Sequence, residues 1–82
     1  MGKEAMRHGK PSKAIDYYKE ALQHEPDSAE LYNNLGLALL KAGRLEEAKA
    51  HFTEAVRLNP KDTSVRTNLE MVLSKMKPVL AK

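Results

Sequence analysis

When the chain is slid against itself by 34 residues, Gly2 falls on Gly36, Gly9 on Gly43, Ala14 on Ala48, Tyr18 on Phe52, Ala21 on Ala55 and Pro26 on Pro60. A shift of one residue either way destroys these matches. A fixed period of this length means repeated supersecondary units, each unable to bury its apolar face alone and therefore stacked on its neighbours. The match runs on from Thr63, where Asn68 falls on Asn34 and Leu69 on Leu35, but Glu70 stands where Gly36 did. The chain divides accordingly into a partial first unit (2–28), a complete unit (29–62), the first helix of a third (63–77) and a tail (78–82) within one domain.

Inside each unit the apolar spacing is helical. Leu31, Leu35, Ala38, Leu39 and Ala42 recur at three- and four-residue steps and share one face. Gly43 follows as a stop, and Leu45, Ala48, Phe52, Ala55 and Val56 mark a second amphipathic helix that Pro60 ends. Asp27 and Glu30 have capping-box spacing ahead of the first of these helices. Asp62 or Thr63 can cap the last helix, whose stripe is Val65, Leu69, Val72, Leu73 and Met76 and which Pro78 stops. Upstream, Pro11 opens a helix that runs to about His24, its missing N–H costing nothing in the first turn. No stretch alternates with period two. The expected fold is all-α, built of antiparallel helical hairpins.

The chemistry-bearing residues are sparse. With 82 residues there is little room for a deep catalytic cavity. The absence of Cys excludes disulfides, thiolate chemistry and zinc–thiolate sites. His8, His24 and His51 include no pair at i, i+4 spacing, so no metal site is expected and all three read as solvated surface residues. No glycine-rich phosphate loop occurs. Ser12, Ser28, Ser64 and Ser74 suit helix starts and polar faces better than nucleophilic roles. Glu46 and Glu47 open a helix and complement its dipole. No enzyme activity and no cofactor are expected.

Net charge is +3 with both signs interspersed. A weak basic cluster, Lys3, Arg7, Lys10 and Lys13, has no aromatic between its members, so nucleic acid is not an expected partner. The longest apolar stretch, 35–40, is far short of the roughly 20 residues that span a bilayer. The N-terminus has neither the apolar centre of a signal peptide nor the Ser or Thr of a myristoylation signal. A small soluble cytoplasmic domain without membrane contact is the expectation.

Tyr32, Leu35-Gly36, Leu39, Ala48, Phe52 and Pro60 resemble the motif of the tetratricopeptide repeat family. Tyr32 stands for a Trp and Leu39 for an aromatic, both mild departures, and the likeness covers the chain from Gly2 to about Lys77. The residue types have physical reasons of their own. Gly36 and Ala48 are small so that two helices can approach closely, Phe52 and Tyr18 fill the space between hairpins, and Ala55 seats the next helix.

The resemblance implies a right-handed superhelical solenoid whose first helices line a concave groove for an extended peptide or partner helix. On this chain the groove residues would be Glu30, Asn33, Asn34, Leu37 and Lys41, with Ser64, Thr67, Asn68, Met71 and Lys75 on the terminal helix. Asn34 and Asn68 are equivalent amides able to donate to and accept from a peptide backbone. Leu37 and Met71 are equivalent apolar groups that either form a ligand-facing patch or touch each other across adjacent helices. Some family members grip C-terminal carboxylates with Lys, Asn and Arg on successive first helices. Here Asn34 fits the middle Asn, but Ser64 and Asn68 stand where Lys and Arg are wanted. In the alternative register Asn33 and Leu37 replace the needed Lys and Asn. Neither register completes the clamp.

The last helix carries Arg66, Glu70, Ser74, Lys75 and Lys77 outward and resembles the capping helix of such arrays. At the other end only residues 2–8 are left to cover Ile15, Tyr18 and Leu22. Two readings follow: a piece of a longer array, or a chain that forms a homodimer through its uncapped N-terminal hairpin. The leading function is a protein-interaction module; the alternative is a structural, self-associating repeat without a ligand of its own.

Overall fold

The structure, a computed structural model, describes residues 11–76. They form four helices, α1 (Pro11–His24), α2 (Ala29–Lys41), α3 (Leu45–Leu58) and α4 (Thr63–Met76), and among the described residues there is no strand. The expected all-α class holds. The connections at 25–28, 42–44 and 59–62 are short enough that consecutive helices must turn back on one another. α1 packs on α2, α2 on α3 and α3 on α4, so the layers stack in chain order, with α2 and α4 brushing past each other.

Local chemistry sets the ends. Pro11 is the first residue of α1. At the start of α2 Ser28, not Asp27, is the N-cap, its Oγ accepting from Leu31 N–H at 3.1 Å. Ser28 lies the three residues before its donor that a capping oxygen needs, whereas Asp27 lies one residue too early. Asp62 takes the equivalent place before α4, its Oδ1 accepting from Ser64 N–H at 2.9 Å. α2 ends in a reversed turn in which Gly43 N–H donates to Leu40 O at 3.0 Å and Arg44 N–H to Leu39 O at 2.9 Å. That turn needs the left-handed backbone, and Gly43 supplies it at φ +79°.

The core is one cluster: Ala14, Ile15 and Tyr18 of α1, Leu35, Ala38 and Leu39 of α2, Ala48, Phe52 and Ala55 of α3, Val65 and Val72 of α4. Ala42, expected on the apolar face of α2, is exposed just past the end of that helix. Leu73, placed in the buried stripe of α4, is 39% exposed, while its repeat equivalent Leu39 is 0% exposed. The difference follows from the stack: α3 covers that face of α2, and no described helix covers it on α4. At the other end Ile15 and Tyr18 are buried and Leu22 is half-buried. The stub at 2–10, the basic residues Lys3, Arg7 and Lys10, His8, the stop at Pro78 and the tail lie outside the described residues.

Candidate peptide-binding groove

α2 and α4 are the repeat-equivalent helices that carry the expected groove. Glu30, Lys41, Ser64, Thr67, Met71 and Lys75 are exposed, and Asn33, Asn34, Leu37 and Asn68 are half-buried. One bond joins the two helices: Asn68 Nδ2 donates to Asn33 Oδ1 at 2.9 Å. The amides expected to act as a matched pair are therefore unlike. Asn68 spends a donor on α2, while among the described residues Asn34 has no side-chain hydrogen bond.

The other polar groups are partly committed as well. Thr67 Oγ1 donates to Thr63 O at 3.0 Å on its own helix, and the Ser64 backbone N–H is taken by Asp62. Leu37 leans on the core and is half-buried, whereas Met71 is 39% exposed and stands outside the core cluster. The two helices offer one open amide, the apolar side chains of Leu37 and Met71, an acidic group at Glu30 and lysines at Lys41 and Lys75. Among the described residues no buried side-chain polar atom lacks a partner, so the face stores no orphaned group.

Spacing along the chain did not reveal three features. The ring of His51 stacks on Tyr32, centroids 5.7 Å apart at 22°. His51 is thus half-buried rather than solvated, and burial first, then the Lys19 charge, holds its pKa below the ordinary value against the opposing pull of Glu47. His24 is exposed, as expected. On the surface of α3 and the turn before it, Arg44 forks onto Glu47 (Nε to Oε1 2.6 Å, Nη2 to Oε2 3.0 Å) and Arg57 onto Glu54 (Nε to Oε2 3.0 Å). Hydrogen bonds from the guanidiniums hold both carboxyls below the usual carboxylate range. Third, an open cavity separates α1 from the start of α2.

Among the described residues no group of three or more His, Cys, Asp or Glu could hold a metal ion, and no helix is long and apolar enough to cross a membrane. The described helices are those of a hairpin array, each first helix laid against a second by small residues and one aromatic. The family profile described as tetratricopeptide repeat matches residues 1–63, and the chain belongs to that family. Repeats of this family mediate protein–protein interaction. Over 57 residues the chain is 42% identical to the peroxisomal targeting signal receptor of Candida albicans, covering 70% of this chain and 10% of the receptor. Over 62 residues it is 32% identical to tetratricopeptide repeat protein 21B of Xenopus laevis (76% and 5%). Over 50 residues it is 38% identical to protein O-mannosyl-transferase Tmtc3 of Drosophila melanogaster (61% and 5%). The chain spans a tenth or less of the length of these relatives.

Proposed function

We propose that this chain is a non-catalytic, cytoplasmic interaction module that binds an extended peptide or a partner helix along the face shared by α2 and α4. The observation that carries the reading is the uncommitted Asn34 amide on two helices that the Asn33–Asn68 bond joins and that also carry Leu37 and Met71. An amide can satisfy one peptide unit of a ligand with both a donor and an acceptor, and the two apolar side chains supply the anchor. The likeness to a protein named as a targeting-signal receptor points to a short peptide as ligand class.

The test is peptide-display selection against the whole chain, with Met71→Glu and Asn34→Ala as controls; neither position is in the core. Peptides that enrich on the parent and are lost on both controls, with helical circular dichroism unchanged, support the groove. Peptides retained by both controls place the binding surface elsewhere and overturn it.

One observation favours a second reading, a self-associating structural repeat: Leu73 is an exposed leucine on the outer side of α4. That reading requires mass that grows with concentration in sedimentation equilibrium and is abolished by Leu73→Lys.

A further inference from the structure

Steps of three and four residues put Glu30, Asn33, Leu37 and Lys41 along one side of α2, and Ser64, Asn68, Met71 and Lys75 along one side of α4. The bond from Asn68 to Asn33 joins these two rows. Consecutive helices turn back on one another, so α2 and α4 run the same way. Lys41 lies eight residues past the bond and Lys75 seven. Along the helices the two lysines therefore stand within about 1.5 Å of one level.

Of the positions that α2 and α4 share, the identical polar ones are Asn34 with Asn68 and Lys41 with Lys75. Both lysines are exposed, and among the described residues neither makes an ion pair. By contrast Arg57, the cation in the last turn of α3, is forked onto Glu54. Glu30, the one acid of the two rows, stands eleven residues from Lys41. That is about 16 Å along the helix, beyond a screening length of about 10 Å, so it does not neutralise the lysine. Two like charges at one level repel each other until an anion lies between them.

Resting on the groove reading above, we infer that the ligand is an extended peptide with an Asp or Glu two residues from its apolar anchor, the carboxylate shared by Lys41 and Lys75. Leu37 to Lys41 is four residues of helix, or about 6 Å. Residues i and i+2 of an extended chain face the same way at about 6.6 Å. An apolar side chain set at Leu37 and Met71 thus delivers a carboxylate to the lysines. Their flexible stems let both ammoniums converge on its two oxygens, as charge-assisted hydrogen bonds. The ligand is extended because the Asn34 amide needs a free peptide N–H and C=O, which the interior of a helix spends on itself.

The test is an NMR titration of the whole ¹⁵N-labelled chain with peptides of about nine residues, long enough when extended to follow the rows. Each has a central Leu in a Ser-Gly background and is acetylated and amidated, so that no terminal carboxylate contributes. One carries Asp two residues to either side of the Leu, a second carries Asn there, and a third has the Asp residues four away. The expected result is saturable shifts at Asn34, Leu37, Lys41, Met71 and Lys75, with the first peptide at least about fivefold tighter than the other two, the scale of two exposed ion pairs. The double variant Lys41→Gln, Lys75→Gln should bind all three alike, at the affinity of the Asn peptide, with helicity unchanged. Equal affinities on the parent, or a preference that survives the double variant, overturn the lysine site while leaving the groove. A preference for the third peptide overturns it in favour of a helical ligand. No saturable shift at Asn34 or Met71 with any peptide overturns the groove and the lysine site together.

Discussion

The ring of Phe52 lies against the backbone of Gly36 so closely that a Cβ there would stand 2.6 Å from Phe52 Cε1 and 2.7 Å from Cδ1. Phe52 is fully buried, so the ring has no solvent side to move toward. This contact sets how near α2 and α3 can come. Gly36→Ala is expected to destabilise by about 1–3 kcal/mol, the cost of overpacking a close-packed core, read as a lower urea midpoint at unchanged slope. A variant as stable as the parent would show that the two helices separate without loss.

Gly43 isolates a different effect. Nothing lies within 4 Å of a Cβ built there, yet its φ is +79°. Gly43→Ala should cost about 1–2 kcal/mol from backbone strain alone, and Gly43→Asn less, because Asn tolerates the left-handed region. Equal losses for Ala and Asn would point to a cause other than φ.

The Asn33–Asn68 bond can be weighed by a double-mutant cycle with Ala. A coupling of about 0.5–1.5 kcal/mol is expected for a part-buried neutral hydrogen bond. Asn34→Ala should leave stability within about 0.5 kcal/mol of the parent, as an uncommitted residue outside the core does. A large loss at Asn34 would show that its amide serves the fold and not a ligand.

His51 makes stability depend on pH. Its folded pKa lies below the ordinary value of about 6.5, so the unfolded chain takes up the proton first as pH falls. Stability should be level above that value, decline as pH drops through it, and level again below the folded pKa. The pairs of Glu47 and Glu54 act lower, losing their contribution only as the carboxylates protonate below about 4.5. His51→Phe keeps an aromatic on Tyr32 and should flatten the upper step while leaving the lower one. Urea midpoints between pH 8 and pH 3, the range that brackets both groups, measure this directly; an unchanged upper step in His51→Phe would assign it to another group.

The two readings of Leu37 and Met71 also separate by measurement. Met71→Glu on an exposed site should leave the thermal midpoint nearly unchanged and abolish peptide capture. Leu37→Glu should lower the midpoint as well, since Leu37 is half-buried against the core. Capture that survives Met71→Glu would move the anchor away from α4.

Much was legible from spacing alone, because helices repeat at a fixed step and the short-range chemistry of their ends is written locally. The period of Gly36, Ala48, Phe52 and Pro60, the stop at Gly43 and the start at Pro11 each depend on residues a few positions apart. Tertiary packing decided the rest. Whether Leu73 is buried depends on a helix that would have to lie beside α4. Whether Asn68 is free depends on a partner on α2, and whether His51 is solvated depends on a ring nineteen residues away. Tyr17 and His51 share one repeat position, yet one is exposed at the rim of a cavity and the other half-buried in a stack. Equal positions in a repeat have equal local geometry, but burial and hydrogen-bond partners come from the neighbouring layer, and that layer differs from one end of the array to the other.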